Sequence, residues 1–449
     1  MSGSRVLLLA SLLVSFCLPL SICAAAGPIP AAVGEPAVES APLHTEVPGT
    51  GMAGDRAAHW VNGFGVNLLR ALLEESAHAN TLLSPLSLAT ALTMTAQGAA
   101  GATTDAFAQV LGYGAGEATS AAQALAALNV ELERENTDLT LRQGNGLWLA
   151  PDLALHEAFA AQQREHFGAE VASADFTDPA TLEAINTWFA ERTSDRIPRL
   201  LDRLSDDTRI VLGNALYVKG RWQMPFDPAQ TRPQSFHRAD GHTTEVAMMH
   251  LDTTEFLYRE DAEHQALRLP FADPEFELLL ALPAPGAPVA ELLRPGASDS
   301  ADDAPSGSGE NTDAGLSAAA PGSATGSAGL PEVLSGVGFR PRPGRLELPR
   351  FDLGTGGDLS EILQRMGLFQ SQDFSRMAAE PLVFGPVVHK VAFAVDEAGA
   401  EAAAATAVVG VRSARPREPF AMVLDRPFLL GLQHGPSGTW LFLGRVGAP

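Results

Sequence analysis

The stretch Glu397-Ala398-Gly399-Ala400-Glu401-Ala402-Ala403-Ala404-Ala405-Thr406-Ala407-Val408-Val409 decides how this chain is read. If it is a strand with Glu401 towards solvent, then Ala400, Ala402, Ala404, Thr406 and Val408 all point the other way. That inner row is small throughout, so the segment could slide between existing strands without displacing a packed core. Consecutive alanines have poor strand propensity. Alanine is also the best helix former, which makes a helical linker the competing reading. A segment that is loop in one state and strand in another accounts for the alternation and for the missing bulk.

Six further fragments give this stretch a context. The first is Asn80-Thr81-Leu82-Leu83-Ser84-Pro85-Leu86-Ser87-Leu88-Ala89-Thr90-Ala91-Leu92. Next come Ile185-Asn186-Thr187-Trp188 with Thr193 and Ile197, and then Leu212-Gly213-Asn214-Ala215-Leu216-Tyr217-Val218-Lys219-Gly220-Arg221-Trp222 with Pro225-Phe226-Asp227 and Thr231. Val388-His389-Lys390, Asp425-Arg426-Pro427-Phe428 and Phe442-Leu443-Gly444-Arg445-Val446 complete the series. In this order, from about residue 57 to Pro449, they resemble the signature segments of the serpin family. The alanine-rich stretch resembles the reactive-loop hinge of its inhibitory members. Two departures stand out: Asp195-Arg196 replaces the usual Gly-Lys, and Ala400 replaces the common Thr or Ser.

The resemblance implies an α+β fold, with helices packed around three mostly antiparallel β-sheets and an exposed reactive-centre loop. It implies a hinge at Glu397, Gly399, Ala400, Glu401, Ala402, Ala403, Ala404, Ala405 and Thr406. It also assigns Ser84, Ser87, Asn214 and His389 to a "shutter", a hydrogen-bond cluster beneath the central sheet. Trp222, Arg350 and Glu397 fall at the "breach", where the loop first enters the sheet. The implied activity is suicide inhibition of a serine protease through a covalent complex. The family's usual spacing, counted from Glu397, places the scissile bond after Ser413, giving Ser413-Ala414. A loop one residue shorter places it after Arg412, giving Arg412-Ser413 and a trypsin-like target. Arg415 precedes Pro416, which resists most serine proteases. A non-inhibitory carrier or chaperone is the runner-up, although such members tend to have bulky, charged or proline residues in the hinge.

Periodicity alone points the same way on fold class. Residues 61–77 and 87–97 carry apolar side chains at helical spacing, and Ser84-Pro85 stands where helix starts favour Ser and Pro. Residues 209–212, 276–282, 428–432 and 439–446 read as strands. Helices dominate the first half and strands the second, an α+β order.

Composition fits a large exported protein. The chain has 449 residues, 46% of them hydrophobic, and a formal charge of -23. Arg5, the apolar run 6–20 and Ala24-Ala25-Ala26 read as a secretory signal over residues 1–26. A retained membrane anchor and a lipid on Cys23 are the competing readings. Cys17 and Cys23 are the only cysteines, so the processed chain would have no disulfide or thiol nucleophile. Residues 27–55 read as a flexible leader and 56–449 as a single domain. Within that domain, residues 295–330 form a Ser/Gly/Ala/Asp insertion without aromatic or basic side chains. The acidic charge argues against nucleic acid as a partner. The segment matching the family's heparin-binding helix, residues 121–135, holds one Arg among three Glu, which argues against heparin.

Enzyme motifs are missing: there is no G-x-S-x-G elbow, P-loop or H-E-x-x-H. His237, His242 and His250 read as ordinary strand and surface residues, and no metal or cofactor is expected. The sequence thus leads to a secreted or periplasmic monomeric inhibitor and not to an enzyme.

Overall fold

Ser84 shows how local chemistry places an element. Its backbone is extended and its Oγ accepts the Ser87 N–H at 3.2 Å, while Pro85 occupies the first helical turn. The following helix is buried at every position except Ala91, so it is a core helix, and its Thr90 and Thr95 hydroxyls donate back to the Leu86 and Ala91 carbonyls. The structure, a computed structural model, describes residues 52–76, 80–135, 137–204, 208–295, 330–382, 387–400 and 418–449. The signal-like segment, the leader up to residue 51, nearly all of the 295–330 tract, and residues 401–417 with both candidate scissile bonds lie outside them.

Among the described residues six helices precede residue 210: α1 (Met52–Glu75), α2 (Pro85–Ala96), α3 (Gly101–Leu111), α4 (Ala118–Leu132), α5 (Glu157–Phe167) and α6 (Pro179–Arg192). A short α7 (Ser360–Arg365) comes later. Strands β1 (Thr81–Leu83), β2 (Arg134–Glu135), β3 (Leu139–Leu149) and β4 (Glu170–Ser173) lie among the helices. Then follow β5 (Ile210–Arg221), β6 (Arg232–His237), β7 (Thr243–Glu260), β8 (His264–Pro270) and β9 (Phe276–Pro283). The last are β10 (Arg340–Pro349), β11 (Phe351–Asp358), β12 (Val388–Val395), β13 (Gly399–Ala400), β14 (Phe420–Val423), β15 (Phe428–His434) and β16 (Thr439–Val446).

Among the described residues these strands make three sheets, mostly antiparallel, and the fold is the α+β one expected. The largest runs β1-β16-β15-β9-β8-β7-β10-β14, with β6 added to β7. Its β15 and β16 are buried along their whole length, and β16 packs against α1 and α2. That is why they read as continuous apolar runs and not as alternating ones. A second sheet joins β13, β5, β3 and β2, with β4 on β3, and a third pairs β11 with β12.

α6 lies across β3 and β5. Its Trp188 and Phe189 meet Trp148 of β3, with ring centroids 5.1 and 5.7 Å away. Gly213 of β5 makes room for this, because a Cβ there would collide with the Phe189 ring. Just beyond α6, Asp195 occupies the left-handed region at φ 61°. Glycine adopts that conformation without steric cost and Asp tolerates it, so the departure from Gly is absorbed with little strain. Arg196 keeps a cation at its position, with Nη1 2.9 Å from Asp352 of β11.

Candidate functional site

The alanine-rich stretch enters the described structure by its first residues. β12 runs to Val395, the chain reverses through Asp396–Gly399, and β13 lies antiparallel on β5. The register is Gly399 opposite Arg221 and Ala400 opposite Gly220. A Cβ on Gly399 would collide with the Gly220 carbonyl oxygen, which gives this glycine a steric reason. β13 occupies the edge of β5 away from β3, on the side where β5 approaches β12. β5 and β12 belong to different sheets among the described residues, with no ladder between them.

The breach residues converge on this turn. Trp222 is buried, tilted against Phe271 at 4.6 Å, and its Nε1 donates to the Asp396 carbonyl at 2.9 Å. Its backbone N–H donates to Ala398 O at 2.9 Å. Glu397 is held mostly by neutral groups: its carbonyl accepts the Phe226 N–H at 2.8 Å, and its Oε1 accepts Thr231 Oγ1–H at 2.8 Å. Arg350 stands 3.7 Å from Glu397 Oε2 with its side chain 55% exposed. At that exposure the pair contributes roughly 0–1 kcal/mol, so the expected ion pair is present but secondary.

The shutter residues meet between β5 and β12. The Ser84 N–H donates to His389 Nε2 at 3.1 Å, which puts the imidazole proton on Nδ1. Ser87, Asn214 and His389 line one cavity, together with Ile210, Leu212 and Val388. Asn214 does not bond His389 directly. Its Nδ2 donates to Asn145 Oδ1 across the β3–β5 ladder, and Asn145 in turn donates to Phe167 O at 2.7 Å. Asn214 Oδ1 is buried without a hydrogen-bond partner among the described residues. Lys390, next to His389, reaches out of β12 to the Arg199 carbonyl at 3.0 Å.

Burial pushes the His389 imidazole from 6.5 down to about 4. Between those values the unfolded chain binds a proton that the folded chain refuses. Stability therefore rises with pH across this window, and is lost as pH falls from about 6.5 to about 4. The shift corresponds to about 3 kcal/mol. His389→Gln should flatten this part of the profile, measured as the urea midpoint from pH 4 to 7. Parallel profiles for the variant and the parent would exclude the assignment.

Phe226 and Thr231 belong to the signature segments without an implied site role, and Asp396, Phe271 and Asn145 fall outside the implied sites. The motif ending in Pro225-Phe226-Asp227 and Thr231 was the available signal for two of them; Asn145 and Phe271 reach the site only through strand pairing. Among the described residues no group of three or more potential metal ligands comes together. His242 is exposed, and His250 lies 3.4 Å from Glu347. No described helix is long and apolar enough to cross a membrane.

The family model described as "Serpin (serine protease inhibitor)" matches residues 59–295 and 336–449. The chain is a serpin. This serpin is 32% identical over 397 residues to the leukocyte elastase inhibitor of Bos taurus, covering 86% of this chain and 97% of that protein. It is 30% identical over 390 residues to human antithrombin-III, covering 82% and 76%. Among solved structures, Serpin48 of the insect Tenebrio molitor superposes with a TM-score of 0.69 at 26% identity, covering 89% of this serpin and 99% of that chain. A thyroxine-binding globulin complex with thyroxine superposes with a TM-score of 0.71 at 24% identity, covering 88% and 99%, a likeness of fold alone.

Proposed function

We propose that this serpin is an exported inhibitor that traps serine proteases as acyl-enzymes by inserting its cleaved loop between β12 and β5. The observation that carries the reading is the placement of Gly399 and Ala400 on the β5 edge that approaches β12. Continued at that register, an inserted strand would set Ala402 opposite Val218, Thr406 opposite Asn214 and Gly410 opposite Ile210, the first residue of β5. Partners in antiparallel register share a face. Ile210, Leu212 and Asn214 line the cavity beside α2, so the small even-numbered row would face the interior and Thr406 would meet the unpartnered Asn214 Oδ1.

The mechanism follows from that geometry. The protease attacks the loop and forms an acyl-enzyme; the freed hinge then enters as a new strand and carries the enzyme away before water releases it. Ladder bonds contribute roughly 0.5–1.5 kcal/mol each, and ordering each residue costs about 1–2 kcal/mol. These nearly cancel, so strain in the uncleaved fold must supply the drive. The exposed Glu131 and Glu133 at the end of α4 argue against heparin acceleration. The signal-like residues 1–26 support export, and a monomer suffices for the mechanism. Incubation with a panel of serine proteases tests the reading: an SDS-stable complex is expected, and cleavage without any complex would favour a carrier instead.

The 295–330 tract is proposed to be dispensable. It is flanked by two short 3-10 turns, Val289–Leu293 and Glu332–Leu334, whose Leu293, Val333 and Leu334 are buried, and the family match passes over 296–335. Its deletion should shift the thermal midpoint by less than about 2 °C, under 1 kcal/mol for a chain of this size. A large drop in melting temperature or in complex yield would show that the tract packs or acts.

A further inference from the structure

We propose that Asp396 is the positioning residue that aims the loop into the sheet; the inference rests on the inhibitory reading above. Four hydrogen bonds meet on this residue. Its Oδ1 accepts the N–H groups of Ala398 at 2.8 Å and Gly399 at 3.0 Å. Its own N–H donates to Gly399 O at 2.9 Å, and its carbonyl accepts Trp222 Nε1–H at 2.9 Å. An Asp that accepts from backbone two and three residues ahead closes a turn by itself. Here the turn sends the chain from the end of β12 onto the free edge of β5, and the Trp222 bond fixes its orientation against the sheet.

The neighbouring Glu397–Arg350 pair cannot set this direction. Its guanidinium is 55% exposed and 3.7 Å away, whereas a carboxylate bonded to backbone N–H groups is the stronger and more directional contact. Asp396 therefore lays down the first hinge residues before the protease cuts. Without its carboxylate oxygen the cleaved loop would have to find the β5 edge from an open turn, and more acyl-enzyme would be hydrolysed while it searched.

The test compares the full chain with Asp396→Ala and Asp396→Asn, each reacted with a serine protease that the unmodified protein traps. The readout is the ratio of cleaved to covalently complexed inhibitor. Misfolded chains would be cleaved without being trapped and would raise the ratio, so each variant is first matched to the parent's cooperative melting transition. Asp396→Ala should raise the ratio threefold or more, with the rate of protease association unchanged. Asp396→Asn keeps the accepting oxygen and should return the ratio to within twofold of the parent. An unchanged ratio in Asp396→Ala, or an Asp396→Asn as defective as Ala, overturns the proposal. Failure of the unmodified protein to form any complex would instead sink the inhibitory reading.

Discussion

Replacing Ala402 by Arg is expected to turn the protein from an inhibitor into a substrate, so that most protease encounters end in a cleaved and released chain. At the register of β13 on β5, residue 402 would lie opposite Val218, which is buried. Gly220, two residues along the same face, would direct a Cβ at the Phe271 ring, so this face looks into the core. A guanidinium inserted there would be buried without a carboxylate, at a cost of several kcal/mol. Each 1.4 kcal/mol is a factor of about ten in rate or equilibrium, whereas hydrolysis of the acyl-enzyme is untouched. The ratio of cleaved to complexed inhibitor should therefore rise at least about tenfold. Titration against the protease, read on denaturing gels, measures it. The melting temperature of the uncleaved protein should not move. An unaltered ratio would mean that residue 402 never enters the sheet.

Covalent trapping of trypsin-like proteases through Arg412 is the second large effect expected. A trypsin-like primary pocket carries a buried acid, and a ligand that leaves it unpaired forfeits several kcal/mol. Arg412→Ala should accordingly slow complex formation with trypsin by on the order of 10²-fold or more. Ser413 would suit an elastase-like small pocket, and the family's usual loop length favours it. Mass spectrometry of the released C-terminal peptide separates the two. A peptide beginning at Ser413 supports Arg412; one beginning at Ala414, with trypsin uninhibited, sinks the assignment.

Much of the architecture was legible in the sequence because it depends on local periodicity and end chemistry. The Ser84-Pro85 cap begins α2 as its residue types require, and the strand-like runs at 276–282, 428–432 and 439–446 fall within β9, β15 and β16. Glu397, Trp222 and Arg350 meet at one end of β5, and Ser84, Ser87 and His389 beside β12. Asn214 was the exception in detail. Its amide is committed to Asn145, a pairing that depends on the register of β3 with β5.

The sequence by itself determined the helix-then-strand order, the smallness of the hinge row and the alternation that assigns its faces. All three follow from side-chain volume and a period of two or 3.6 residues, which act over neighbours in the chain. Only the tertiary structure decided which edge the hinge takes, that Gly399 must lack a Cβ against Gly220, and that Asp396 and not the Arg350 ion pair closes the turn. The edge and the glycine depend on the backbones of β13 and β5 meeting from distant parts of the chain, and the locally bonded Asp396 turn is oriented by Trp222, 174 residues away. Periodicity tells a strand which way its side chains point, but the partner that receives its N–H and C=O groups is chosen by the packing of the whole molecule.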